Sequence, residues 1–176
     1  TVVLFAVVGF FIAALLPQKW TSQAEITPAE RIQWAELQRA LMTLQVLDVK
    51  TSISQSDVYN LFLKKFTSQS LKEEFLASSP LVLGKLEENN LDQYELRRAL
   101  TLLTEKIKAT NNAKQASADN TPYASWTLSF TAPTAEDAQQ VLKGYIDFIS
   151  AKVINETLAT LRNDVELKKS FEKNVL

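Results

Sequence analysis

Ala124 to Ile149 reads ASWTLSFTAPTAEDAQQVLKGYIDFI, and the hydrophobic period changes inside it. Trp126, Leu128 and Phe130 alternate with Ser125, Thr127, Ser129 and Thr131, the period of two that marks a strand with one apolar face. After Pro133 the period becomes helical. Thr134 is a good N-cap, and Glu136 and Asp137 fall in the first turn, where the helix dipole favours acids. Ala138, Val141, Leu142, Tyr145, Phe148 and Ile149 then form a wide apolar face suited to covering a sheet. Trp126, Leu128 and Phe130 are expected to meet it in the core.

From Thr134 to Leu176 the chain has no proline and one glycine, Gly144. As a single helix these ~43 residues would reach about 65 Å, more than one domain needs. The apolar face narrows beyond residue 150 to Ile154, Leu158, Leu161 and Val165, spaced four, three and four. Arg162, Asp164, Glu166, Lys168 and Lys169 surround this stripe. It is too narrow for a core and too short for a self-sufficient coiled coil, so a helical partner is expected on it. No C-cap signal stands at Leu176, so the helix is expected to continue.

N-terminal to the quoted stretch, Asn111 to Pro122 holds no apolar side chain larger than alanine and reads as a solvated connector. Glu105 to Thr110 alternates and reads as the other strand of a hairpin. Three Ser/Asp-x-x-acid signatures precede it: Ser54 with Asp57, Ser70 with Glu73, and Asp92 with Glu95. Each heads a helical set, Val58, Leu61, Phe62 and Phe66, then Leu71, Phe75 and Leu76, then Leu96, Ala99, Leu100 and Leu103. The run TSQS, 67–70, is expected to break the first of these helices from the second, and Ser78, Ser79 and Pro80 to close the second. A further helix is read over roughly Gln33 to Val46, and Lys19 to Thr27 alternates as a strand ended by Pro28.

Thr1 to Leu16, TVVLFAVVGFFIAALL, has no charge and no proline. It reads as a transmembrane helix. At about 24 Å it falls short of the ~30 Å hydrocarbon layer, so its start is expected upstream of Thr1. Lys19 and Trp20 follow Pro17, a cation and an aromatic of the kind that sit at the membrane interface.

Nineteen basic and twenty acidic side chains leave a net charge of −1, no footprint for nucleic acid. The chain has no cysteine and no histidine, which removes thiol nucleophiles, imidazole acid–base chemistry and the usual zinc sites. Three scattered glycines build no phosphate-cradling loop. No catalytic, metal or cofactor-binding residue is assigned: Glu73 with Glu74 and Glu87 with Glu88 are adjacent and point apart on a helix. Trp34, Tyr94, Tyr123 and Trp126 could stack on sugar rings only if exposed together.

The order of parts resembles the Wzz-type polysaccharide co-polymerases, inner-membrane proteins that set lipopolysaccharide O-antigen chain length, and among them those that set very long chains. The resemblance rests on ALLPQKWTSQAEITP (Ala14 to Pro28), Phe66 to Ser79, and SFTAPTAEDAQQVL (Ser129 to Leu142). It implies an α/β (α+β) fold: a transmembrane helix over 1–16, a periplasmic base over 17–150 with a membrane-proximal mixed sheet and flanking helices, and the start of a long extended helix over 151–176. It further implies a closed homo-oligomeric ring in the bacterial inner membrane, with most of the chain in the periplasm. The ring would bias the O-antigen polymerase and contact the membrane and the growing polysaccharide, without enzymatic activity or cofactor. The competing expectation is a membrane-anchored periplasmic sensor or ligand-binding module, which shares the anchor and the helices.

Overall fold

The computed structural model describes residues 19–27, 39, 42, 53–112 and 125–175. The transmembrane helix expected over 1–16 lies outside these residues, as does most of the helix expected over 33–46, of which Arg39 and Met42 are described and helical. Among the described residues no helix is long and apolar enough to cross a membrane.

Three strands, β1 (Trp20–Ile26), β2 (Lys108–Asn111) and β3 (Trp126–Ala132), form a sheet in the order β1-β3-β2. Both pairings among the described residues are antiparallel, where the resemblance implies a mixed sheet. β1 and β2 do run the same way, but β3 lies between them, so no parallel ladder forms. β2 and β3 make the expected hairpin. At its connecting end the Asn112 amide donates to the Ser125 carbonyl at 2.9 Å, and Thr127 Oγ1 donates to Asn112 Oδ1 at 3.0 Å.

Register puts Phe130 opposite Ser22 and Leu128 opposite both Ala24 and Ala109 on the covered face. Small residues on the outer strands leave room for the large ones of β3. The other face is polar, with Thr21 opposite Thr131 and their hydroxyls 2.8 Å apart. Leu128 and Phe130 lie in the core as expected; Trp126, the first residue of β3, is only half-buried.

Within residues 53–112 lie four short helices, α1 (Gln55–Phe66), α2 (Gln69–Ser78), α3 (Pro80–Glu87) and α4 (Gln93–Lys106). α1 and α4 begin with complete capping boxes at Ser54/Asp57 and Asp92/Glu95. The third signature does not cap. α2 starts two residues earlier, with Ser68 extended at the N-cap, Ser70 Oγ 3.1 Å from Ser68 Oγ, and Glu73 accepting from the Gln69 amide. One extended residue suffices to redirect the chain, so the helix resumes before Ser70. α3 was not expected; Pro80, read as a stop, is its first residue, where a missing N–H costs nothing. β2 starts at Lys108, not Glu105, since Glu105 and Lys106 finish α4. The Lys72 ammonium donates to the Ile107 carbonyl at that turn, and its burial lowers the Lys72 pKa.

The last element, α5 (Ala135–Val175), is one helix of 41 residues, about 61 Å long. Its first half lies across the sheet and buries Ala138, Val141, Leu142, Tyr145 and Ile149, the face expected from the sequence. Gly144 lets Phe75 approach: a Cβ there would sit 3.2 Å from Phe75 Cζ. Tilted aromatic contacts run from Phe66 to Tyr145, from Tyr145 to Phe75 and from Phe75 to Phe148, with centroids 4.8 to 5.6 Å apart.

Candidate functional site

α5 is fixed at its base before it becomes exposed. The Thr134 hydroxyl accepts from the Asp137 amide at 3.1 Å, and the Asp137 carboxylate takes Lys85 at 2.8 Å. The hydrogen bond from Lys85 first, and a side-chain hydrogen bond with Thr134 second, hold the Asp137 pKa below the usual aspartate range; the contact with Asp137 raises that of Lys85. The buried Tyr145 hydroxyl donates to the Phe66 carbonyl at 2.7 Å, at the end of α1, and burial pushes its pKa up. Lys152 pairs with Glu74 at 2.8 Å and lies 5.2 Å from the Phe148 ring centroid, and Lys65 pairs with Glu156. Val153 and Thr157 are the last buried positions of the helix, so the packed base runs past residue 150.

Beyond that point the helix is mostly solvent-facing. Of the expected partner stripe, Ile154 is 58% exposed and Leu158 45%, while Leu161 and Val165 are half-buried. With 100° per residue the four fall within about 60° of arc, centred on a direction about 110° round from Val153. The face that leaves the core is therefore not the face that carries the stripe. Leu158, Leu161 and Val165 line a shallow groove flanked by Arg162 and Glu166. The structure brings the four residues together as one strip and shows no cover over it among the described residues.

A second exposed pair escaped the sequence reading. Leu167 and Phe171 are 70% and 72% exposed and lie about 120° round the helix from the stripe. They continue the spacing of the buried set Ile149, Val153 and Thr157 at intervals of three and four, so the core face could have been followed through Thr160 and Asp164 to reach them. The polar interruption hid that continuity.

Lys19 and Trp20 stand exposed at the start of β1, Trp20 at 49%. Glu73 and Glu74 serve Gln69 and Lys152, and Glu87 and Glu88 are exposed at the end of α3. Among the described residues no group of three or more acidic, histidine or cysteine side chains converges as a metal site. Tyr94 is exposed and Trp126 half-buried; Trp34 and Tyr123 lie outside the described residues.

Residues 1–79 match the Wzz family model, described as chain length determinant protein. Over 173 residues, 98% of its length, the chain is 50% identical to the ferric enterobactin transport protein FepE of Escherichia coli (strain K12). It covers 46% of that protein, so it spans about half the length of the curated relative it matches.

Proposed function

Because the chain is a relative of the Wzz chain length determinants, we propose that it is a non-enzymatic regulator of lipopolysaccharide O-antigen length, of the class that sets very long chains. The 1–79 match takes in two of the three stretches on which the resemblance rests. In this reading residues 1–16 anchor the protein in the bacterial inner membrane, Lys19 and Trp20 sit at the lipid interface, and the base stands in the periplasm. The observation that carries the assembly part is the strip Ile154, Leu158, Leu161 and Val165, apolar and aligned, with no cover among the described residues, on a helix already rooted in its own core. A helix of the same protein or of a neighbouring copy covers it, and copies close into a ring by repeating one contact. The ring biases the O-antigen polymerase by its shape, in contact with the growing polysaccharide.

Lipopolysaccharide banding from cells with and without the protein tests this. A shift in modal length on deletion is expected, with polymer still made. Complete loss of polymer would point instead to catalysis. The relative's name links that protein to ferric enterobactin transport, and growth on ferric enterobactin as sole iron source is the matching control. Unchanged growth with altered banding fits a length regulator; impaired growth with unchanged banding would replace it with a transport role. A ligand sensor would leave both unchanged.

A further inference from the structure

A cavity of about 310 Å³ opens at one end of the base, separate from the stripe. Its walls are Leu81, Val82 and Leu86 of α3, Leu103 of α4, Phe130 of β3 and Val141 of α5. The Lys85–Asp137 ion pair and the exposed Glu88 stand at the rim, so the mouth is polar and carries a net negative charge.

Register fixes which end this is. Ala132 also lines the cavity, and it lies opposite Trp20, the first residue of β1. Facing residues of an antiparallel pair are about 5 Å apart, and four residues from Leu16 to Trp20 span at most about 14 Å. The cavity wall is therefore within about 20 Å of the end of the uncharged run 1–16 and beside an exposed tryptophan. The other large groove, lined by Ile26, Tyr59 and Ile154, lies at the opposite end of β1.

From this placement we infer that the cavity receives a hydrocarbon chain of a membrane lipid, seating the base on the bilayer through α3. This rests on the membrane-anchored reading above. Apolar walls hold the chain, and the polar rim of Lys85, Asp137 and Glu88 meets the headgroup layer, its net negative charge favouring zwitterionic over anionic headgroups. Leu81, Leu83 and Leu86 keep partial exposure on α3, as a helix at the acyl–headgroup boundary requires.

The full-length protein in phosphatidylcholine vesicles brominated on the upper chain carbons tests this by tryptophan quenching. One form keeps Trp20 as its sole tryptophan; the other carries Leu86→Trp with every native tryptophan replaced by phenylalanine. Loss of fluorescence at both sites on bromination is expected. Quenching of Trp20 with none at position 86 would overturn the inference and assign the cavity to a protein segment, leaving the anchored reading intact. No quenching at either site would sink both. Leu81→Trp is a second reporter on the same wall. If neither variant folds, amide exchange over Leu81–Glu87 of the unsubstituted chain reads the same contact: slower exchange in vesicles than in lipid-free amphipol supports lipid cover, and equal rates reject it.

Discussion

The two halves of α5 are built from similar residues and meet opposite fates. In the first half Val141, Leu142, Tyr145 and Ile149 are buried by the sheet and by α1 and α2; in the second, Ile154, Leu158, Leu167 and Phe171 face solvent. Burial of an apolar side chain contributes roughly 1.5–3 kcal/mol, so the first half accounts for its own order. The second half has no such return within the described residues, and isolated helices of that length are marginal in water. The distal helix inherits its direction from the base, and on the proposed reading a further helix completes it.

The sharpest way to break this comparison lies in the base. Leu128 is fully buried between β1, β2 and α5, and Leu128→Ala should lower stability by about 2–5 kcal/mol in denaturant unfolding. An unchanged midpoint would mean that the sheet and the first half of α5 do not form one core.

Next comes the join between α1 and α5. Tyr145→Phe keeps the ring contacts but leaves the Phe66 carbonyl without its donor, a loss of about 1–3 kcal/mol. Retained stability would show that water replaces the hydroxyl.

In the distal half the expectation reverses. Leu158→Asp or Leu161→Asp should change unfolding of the base by no more than about 0.5 kcal/mol, as for other surface positions. An unpaired carboxylate in an apolar contact is costly, so the same variants should weaken the assembly in the membrane and broaden the polymer length distribution. Intact oligomers with an unchanged distribution would make the stripe a plain solvated face.

The smallest effect is electrostatic, at the root of α5. The folded pKa of Asp137 is depressed, so the contribution of its contacts is fully present above the ordinary aspartate value of about 3.9 and is lost as pH falls through the lower folded value. Lys85 is raised, so its share persists below about 10.4 and is lost as pH rises through the folded value. The stability difference between the protein and Asp137→Asn should be flat from about pH 5 to 9 and shrink toward the acid end. A difference that persists in acid would remove the ion pair from the root of the helix.

Local chemistry alone determined much of this protein. The capping boxes at Ser54 and Asp92, the alternation of Trp20–Ile26 and Trp126–Ala132, and the run from Thr134 specify their elements through hydrogen bonds and side-chain periods only a few residues long. The Wzz-type resemblance was legible for the same reason, since it follows the order of such segments. Tertiary structure decided the rest. Ser70 with Glu73 matches the capping pattern as well as Ser54 with Asp57, yet the chain turns at Ser68, because α2 must cross from α1 onto α4 and α5. Pro80 is as compatible with a helix's first residue as with its end, and packing of Val82 and Leu86 chose the first. The place of β1 beside β3 depends on pairing residues a hundred or more positions apart, which no local period records. Which apolar residues of α5 are core and which await a partner was likewise undecided in the sequence, because Val153 and Ile154 are equally apolar neighbours. The 100° between them places one against the base and the other in solvent.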